Sequence, residues 1–312
     1  MEGICKAELS LIIQQSFYNE EERSGYLVSS EMKKVWAVEL DLLNVFSELC
    51  KKHDLKWFVH AGTMLGAVRH HGFIPWDDDI DVVMPRADYE KLCKVAPCEL
   101  AYPYFFQNEE TDRYFARSFS RIRNSATTAI LDSERVFNFP FNQGIFIDVF
   151  PYDNIPECPQ LNDFSNELLE FYGAWQWRNM VHFYHSKKGK GLPKRIKYFL
   201  KHVYFRYINP SDHDYLKMLR MHHEVVTRYD AENTEYVGEM IIPPLNRHIW
   251  KREWVEDLVY MPFEMIQVPV PSHYEECLKA SFGENWRTPI KQPTMHWGVF
   301  FDAERPYVEY LK

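Results

Sequence analysis

The sequence contains no long apolar run. Nowhere in its 312 residues do about 18 apolar residues follow one another, the length that a membrane-spanning helix requires. Its first residues carry Glu2, Lys6 and Glu8 and lack the apolar stretch of a secretory signal peptide. The six cysteines are scattered and form no CxxC pair, which argues against a disulfide framework or a zinc site. We therefore expect a cytoplasmic protein with reduced thiols.

A net positive charge is also absent. With 36 basic and 45 acidic side chains the formal net charge is −9, so the molecule as a whole is not a nucleic-acid binder. Residues 171–211 differ from this average, because they contain no Asp or Glu but nine Lys or Arg. Two interpretations stay open for the basic segment 187–206. It lies on an anionic membrane or binds a polyanionic acceptor, or it is a helix packed on its own domain with a solvated basic face.

Hydrophobic periodicity predicts alternating helices and strands, with no internal repeat. Residues 30–53 show apolar residues at three- and four-residue steps, which predicts a helix with Ser30 as its N-cap. The aromatic and β-branched stretch 55–61 predicts a strand. Further patterns predict a helix over 63–71 closed by Gly72, a strand over 80–84, a helix over 87–95, strands over 114–131, a strand over 144–150, mainly helix over 160–230 and a helix near 272–281.

An aspartate cluster interrupts this pattern at Asp77, Asp78, Asp79 and Asp81, with no basic residue between them. A calcium EF-hand loop does not fit, because its sixth position, normally glycine, would be Val82. A DDxxD diphosphate motif is formally present, but that motif acts on a helix. The β-branched residues within the segment favour a strand instead.

In a strand, Asp79 and Asp81 lie on one face, about 7 Å apart. Such a pair can hold Mg²⁺, which takes one or two carboxylates together with substrate phosphates. Asp148 is the candidate for a third carboxylate, because it lies inside the apolar strand 144–150, where an unpaired charge is costly. A solvated acidic turn without metal remains the alternative.

A phosphate site is predicted next to these carboxylates. Gly62 and Thr63 follow a strand and open a helix, where backbone N–H groups and the helix dipole favour an anion. Arg69 lies further along the same helix, either near the phosphates or on the surface. Three arginines at odd positions of the strands 114–131 would clamp phosphate oxygens or line a solvated strand edge: Arg117, Arg121 and Arg123.

This order of strand, Gly-Thr, helix, Asp-Ile-Asp and a later strand Asp is the arrangement of the nucleotidyltransferase fold. Residues 60–92, HAGTMLGAVRHHGFIPWDDDIDVVMPRADYEKL, closely resemble the signature of the LicD family of phosphocholine transferases, which includes the fukutin-related proteins. FIDVFPYD (146–153) and VPVPSHYEECLKASFGENWRTP (268–289) resemble further blocks of that family, so the resemblance covers roughly 30–300. The zinc-binding cysteine pattern of the fukutin-related branch is not visible, so we expect the bacterial-type branch.

The resemblance implies an α+β fold with a nucleotidyltransferase-like mixed β-sheet flanked by helices and an appended, mainly helical module. We expect four parts along the chain. They are an N-terminal extension (1–30), the catalytic core (31–155), a helical, basic module (156–240) and a C-terminal segment that packs back on the core (241–312).

The resemblance also implies an activity. The protein would move a phospho-alcohol, first of all phosphocholine, from a CDP-alcohol to a sugar hydroxyl of a cell-surface glycan such as teichoic acid or lipopolysaccharide, or of its lipid-linked precursor. CMP would be released. The enzyme would use two Mg²⁺ or Mn²⁺ ions. It would act at the inner membrane surface. The alternatives are a nucleotidyltransferase that moves NMP from an NTP to a small hydroxyl compound, and a non-catalytic glycan- or nucleotide-binding protein.

Site residues are carried over from the resemblance in three groups. Asp79, Asp81 and Asp148 would bind metal and act in catalysis. The diphosphate would be held by Gly62, Thr63, Arg69, Arg117 and Arg121. Three more residues are expected to support these from the surrounding chain. They are His60, and Asp77 and Asp78, which would bond backbone or orient Arg69.

Overall fold

The computed structural model describes residues 9–112, 115, 117–132, 141–157, 164, 166–168, 196, 200, 213–241, 248–291, 296 and 298–311. Within these ranges, no helix combines the length and the apolar character that crossing a bilayer demands. Of the basic segment 187–206, only Ile196 and Leu200 are described, and both are exposed. The predictions for that segment, and most of those for 160–230, therefore lie outside the described residues.

Helices and strands alternate along the first half of the chain, as the sequence pattern predicts. The helices are α1 Ser30–Lys52, α2 Ala61–His70, α3 Arg86–Glu99, α4 His213–Val226, α5 Arg252–Glu256 and α6 Tyr274–Phe282, with 3₁₀ turns at Gln15–Tyr18 and Tyr307–Glu309. The strands are β1 Glu21–Arg23, β2 Tyr26–Val28, β3 Phe58–Val59, β4 Asp81–Pro85, β5 Tyr104–Gln107, β6 Ser120–Asn124, β7 Thr128–Leu131, β8 Ile145–Ile155, β9 Tyr236–Gly238, β10 Ile249–Lys251, β11 Leu258–Phe263, β12 Ile266–Pro271 and β13 Val299–Asp302.

Seven of the described strands form one mixed sheet, which confirms the α+β class. The sheet runs in the order β10-β9-β8-β4-β3, and β6 pairs with both β5 and β8. Strand β4 is parallel to β8, whereas β3, β6 and β9 are antiparallel to the strands they join. The long central strand β8 thus carries neighbours along both its halves, and the predicted strand 144–150 is its first half.

Helix α1 packs against this sheet through an apolar face. Trp36, Leu40 and Phe46 are completely buried on it. Its N-cap is Ser29, whose side chain accepts a hydrogen bond from the Met32 N–H at 3.2 Å, so the predicted cap at Ser30 is off by one residue. Adjacent serines offer the same hydroxyl, and only the extended backbone of Ser29 decides between them.

The end of α2 also differs from its prediction. The left-handed residue there is His71 (φ 55°), and Gly72 follows it. A Cβ on Gly72 would lie 2.1 Å from Oε1 of Glu264, so this glycine is required by a close approach rather than by its own φ. Glu264 lies in the turn between β11 and β12, where its N–H donates to the His71 carbonyl at 2.8 Å. The end of α2 is therefore fixed by a hairpin nearly two hundred positions later in the chain.

Candidate active site

The sheet places two of the predicted aspartates directly opposite each other. In the parallel pairing of β4 with β8, Asp81 is the register partner of Asp148. The Asp148 N–H donates to the Ile80 carbonyl at 2.9 Å, so the pairing begins one residue ahead of β4. Val82 and Val149, one position further on each strand, are fully buried. The alternation predicted from the apolar pattern therefore holds, and it turns both carboxylates to the same face.

Asp77, Asp78 and Asp79 lie in the turn that precedes β4, so the prediction that Asp79 lies within a strand is not met. The Asp77 N–H donates to the Ile74 carbonyl at 2.9 Å, and the Trp36 indole N–H donates to the Asp77 carbonyl at 3.1 Å. These bonds hold the turn against α1. Asp78 is buried at 8% exposure, and the other two are partly exposed.

The start of α2 closes against this turn. A Cβ on Gly62 would lie 2.7 Å from Oδ2 of Asp77, so the glycine is needed for the approach of that carboxylate. The preceding Ala61 adopts φ 42°, which is strained for a residue with a side chain. Thr63 is buried, and its Oγ1 accepts a hydrogen bond from the Asp81 N–H at 2.9 Å. The Gly-Thr pair therefore positions the aspartates.

A further carboxylate, absent from the sequence prediction, comes from α1. Glu39 is 1% exposed, and its Oε2 has no hydrogen-bond partner in the part of the chain that the structure describes. Burial raises its pKa well above the ordinary value, and the charges of Asp79 and Asp78 raise it further. Its signal in the sequence is an acidic residue on the apolar stripe of the predicted helix, between Val38 and Leu40.

His296, from the C-terminal segment, brings a cationic group to the aspartates and was also not predicted. Its Nδ1 lies 3.3 Å from Oδ1 of Asp78, and its Nε2 lies 3.6 Å from Oδ2 of Asp79. Burial opposes protonation of this imidazole, but the charges of Asp79 and Asp78 outweigh it and raise the pKa of His296. No local pattern in the sequence marks this residue.

Arg121 is the predicted arginine that reaches the cluster. Its Nε donates to Oδ1 of Asp148 at 2.6 Å, and its NH2 lies 3.5 Å from Oδ2. Arg123 lies on the same face of β6, but its partners are different. It donates to the carbonyl of Gly144 at 2.6 Å and to Oε1 of Gln107. Both guanidiniums are fully buried, so the alternative of a solvated strand edge is wrong for these two residues.

The side chains of three other predicted residues contact residues outside the aspartate cluster. Arg69 donates to the carbonyl of Trp286 and to Nε2 of His70, both at 2.9 Å, so the C-terminal segment orients it. Arg117 precedes β6 and lies over the Phe119 ring at 5.6 Å. His60 is buried with its ring 4.6 Å from that of His248. Whether these residues bind substrate stays a prediction.

Crowding of the carboxylates has a clear electrostatic consequence. Loss of water raises the pKa of Asp81 well above its usual range, and the charges of Asp79 and Asp148 raise it further. For Asp79, burial raises the pKa to about 6, although the adjacent His296 opposes this. Burial also raises the pKa of Asp77 well above its usual range, and the charges of Asp79 and Asp78 raise it further. A group of carboxylates that resists ionisation needs protons or cations to be stable.

The donor set fits a hard divalent cation. The ligand atoms that the aspartates offer are carboxylate oxygens, which Mg²⁺ and Mn²⁺ prefer. Among the described residues of this site, the ligand atoms that lie within 4.8 Å of one another belong to Asp78, Asp79 and His296. The buried Oε2 of Glu39 has no partner among the described residues, so it would be one more oxygen donor for such an ion.

Comparison with known proteins relates part of this chain to a family. Residues 54–170 match the family described as "LicD/FKTN/FKRP, nucleotidyltransferase domain". This chain contains a LicD-family domain. It is 25% identical over 257 residues to the lipopolysaccharide cholinephosphotransferase LicD of Haemophilus influenzae, covering 81% of this chain and 90% of that protein. An uncharacterized protein of Rickettsia prowazekii is 44% identical over 50 residues, which are 16% of this chain and 19% of that protein.

The LicD-family domain contains only part of the site. Asp77 to Asp81, Arg121 and Asp148 lie within the matched residues 54–170. Glu39 comes from the helix ahead of the match, and His296 comes from beyond it. The cluster is therefore completed by chain segments on both sides of the LicD-family domain.

Proposed function

We propose that the protein transfers a phospho-alcohol, phosphocholine in the first place, from a CDP-alcohol to a sugar hydroxyl of a cell-surface glycan or its precursor, and releases CMP. The observation that carries the proposal is the opposition of Asp81 and Asp148 across β4 and β8, within a LicD-family domain. The name of the Haemophilus relative supports phosphocholine as the group transferred and a lipopolysaccharide-type acceptor.

We also propose that divalent cations, Mg²⁺ or Mn²⁺ and two in number, are held by Asp79, Asp81 and Asp148, with Glu39 as an additional oxygen donor. When bound, such ions neutralise the diphosphate and stabilise the charge that develops on the attacking and leaving oxygens. The need for them follows from charge, since an anionic diphosphate would otherwise meet the unneutralised carboxylates of the cluster.

The reaction needs an acceptor for one proton. The hydroxyl oxygen forms a bond to the phosphorus that carries the alcohol, and the bond from that phosphorus to the CMP oxygen breaks. We assign the hydroxyl proton to Oδ2 of Asp148, because Arg121 holds this oxygen only at 3.5 Å while it binds Oδ1 at 2.6 Å. Arg121 then fixes the carboxylate through Oδ1 and holds Oδ2 only by the longer bond.

The donor diphosphate is assigned to the start of α2 and the arginines around it. Gly62 and Thr63 open α2, whose first backbone N–H groups favour an anion. Arg69 and Arg117 supplement them in this proposal. For Arg69, NH1 donates to the Trp286 carbonyl and Nε donates to His70, so NH2 is the group that would reach the phosphate.

Product analysis with alternative donors tests the proposal. Metal-loaded protein is incubated with CDP-choline, other CDP-alcohols or NTPs and a glycan acceptor, and CMP and pyrophosphate are measured. We expect CMP from CDP-choline, a large loss in Asp79→Asn and normal release in the exposed control Asp257→Asn. Pyrophosphate from an NTP would instead support nucleotidyl transfer. Donor binding without any product would support a non-catalytic binding protein.

A further inference from the structure

A second cluster of metal-binding side chains lies beside the aspartates and consists of His60, Glu239 and His248. All three side chains are buried, with exposures of 2%, 1% and 9%. One ligand atom from each lies within 4.8 Å of those of the other two. His60 adjoins the aspartate site directly, because its backbone N–H donates to the carbonyl of Asp81 at 2.9 Å.

One atom of this cluster lacks the partner that burial demands. Nδ1 of His60 is inaccessible to solvent and has no hydrogen-bond partner among the described residues. A buried polar atom without a partner costs about 1–3 kcal/mol, so native structures rarely leave one without a ligand, water or ion. The His248 ring, 4.6 Å away between centroids, adds a second imidazole next to His60.

The other two side chains are held in orientation by bonds behind them. Oγ of Ser281, on α6, lies 3.2 Å from Nδ1 of His248. The Glu239 carboxylate accepts the Ile241 N–H, and the Glu239 backbone N–H donates to the His248 carbonyl at 3.1 Å. Hydrogen bonds of this kind orient ligands around protein-bound metals, where their loss typically costs 10–100-fold in affinity.

We propose that His60, Glu239 and His248 form a binding site for a transition-metal ion, Zn²⁺ first, distinct from the carboxylate site for Mg²⁺ or Mn²⁺. Two imidazoles and one carboxylate are a donor set typical of Zn²⁺, while Mg²⁺ prefers oxygen alone. Zn²⁺ bonds of about 2.0–2.2 Å would draw the donor atoms to separations of about 3.3 Å. In the structure these atoms lie within 4.8 Å of one another.

A metal ion at this cluster would connect distant segments of the chain. A bound ion would join the strand-to-helix turn at residue 60 to the two segments that flank β9 and β10. It would thereby fix the backbone of His60, which is hydrogen-bonded to Asp81, relative to the C-terminal half of the chain. Three protein ligands also leave one tetrahedral position for water.

Metal content and titration of the full chain test the site. The protein is stripped with a chelator, titrated with Zn²⁺ in excess Mg²⁺, and its metal content is measured after gel filtration. We expect one tightly held equivalent of Zn²⁺, weakened at least about tenfold in Glu239→Gln and in His248→Gln. The control His222→Gln removes a histidine that is equally buried, at 2% exposure, but outside the cluster. Wild-type protein that retains no Zn²⁺ overturns the proposal.

Spectroscopy identifies the ligands without relying on the folding of a cluster variant. The aspartate site also contains one histidine, His296, so nitrogen coupling alone is not decisive. With Cu²⁺ as the probe in Asp79→Asn and in His296→Gln, we expect electron paramagnetic resonance to show coupling to two imidazole nitrogens. Coupling to one nitrogen or none, or loss of the signal in Asp79→Asn, would place the ion at the aspartates and overturn the assignment.

Discussion

Strand β8 carries two aspartates that are both paired with a buried arginine, yet their surroundings differ. Asp153 accepts from Nε and NH2 of Arg86 at 2.6 and 2.8 Å, one bond to each oxygen. Asp148 is bound by Arg121 at 2.6 and 3.5 Å and also belongs to a crowd of carboxylates. The first pair is closed and symmetric. The second has one weakly held oxygen and an excess of negative charge around it.

The two pairs illustrate that an ion pair alone does not mark a functional site. Arg86 is the first residue of α3, so its bond to Asp153 ties that helix to β8. A cavity of about 520 Å³ borders Arg86, Tyr89 and His222, but none of the aspartates of the cluster lines it. What distinguishes Asp148 is the convergence of other acidic groups. We therefore expect substitution of Asp148 to affect mainly activity and substitution of Asp153 to affect mainly stability.

The largest expected effect is on catalysis, from Asp148→Asn. Because the amide can neither accept the proton nor bind a cation as strongly, we expect kcat/KM to fall by roughly 10³ or more. Stability should fall less than in Asp153→Asn, because relief of the repulsion on Asp81 and Glu39 offsets the loss of the ion pair with the buried Arg121. Steady-state CMP release measures the first effect, and denaturant unfolding the second. Activity within tenfold of wild type would remove Asp148 from the mechanism.

The next effect is on stability, from Asp153→Asn. It leaves the buried guanidinium of Arg86 without a countercharge, which typically costs about 3–5 kcal/mol. The double variant Arg86→Met with Asp153→Leu should lose less than either single change, because no buried charge is then left unpaired. Urea unfolding compares the variants. Loss of activity in Asp153→Asn under conditions where the variant remains folded would contradict the distinction between a structural pair and a catalytic pair.

A smaller effect concerns metal binding without turnover. Mg²⁺ at about 100 times its Kd should raise the free energy of unfolding of the metal-free protein by about 2.7 kcal/mol. The gain should vanish in Asp79→Asn and persist in Arg86→Lys, which changes only the other pair. Thermal melts with and without Mg²⁺ provide the measurement. An equal gain in both variants would show that the ion binds elsewhere.

The smallest effect is on the pH dependence of stability in chelator. The pKa of Asp79 is about 6 in the folded protein against an ordinary value of 3.8. The unfolded chain therefore ionises first, and this contribution is complete below about pH 4 and lost as the pH rises through 6. We expect the melting temperature to fall by a few degrees over that range, less so in Asp79→Asn or with Mg²⁺. A melting temperature that rises over this range would contradict the burial of unneutralised carboxylates.

The sequence was most informative where local pattern and chemistry coincide. Alternation of apolar residues predicted that Asp148 lies on one face of a buried strand, and period two aligned Arg121 with Arg123. The capping serine and the last residue of α2 were each misassigned by one position, because neighbouring residues have similar propensities and tertiary contacts decide between them. The predicted division into four parts and the metal roles of the aspartates stay predictions.

The site residues that the sequence did not predict were missed for one physical reason. Glu239, His248 and His296 join the site through chain segments far from the motif, and one sequence does not show which distant segments meet. Glu39 alone left a trace, as a charge on an apolar helical stripe. A search for charged residues on such stripes would have found it, since burial of an acidic side chain is rarely without purpose.

The contact between Gly72 and Glu264 bears on the order in which the molecule folds. Glu264 accepts the Phe73 N–H at 3.1 Å and binds Arg23, so it holds the chain just ahead of the aspartate turn. During synthesis, the aspartates emerge long before residue 264. A nascent chain that ends near residue 170 would contain the whole matched domain but not Glu264 and its contacts. We therefore expect the acidic turn to acquire its final shape late, when the C-terminal hairpin docks.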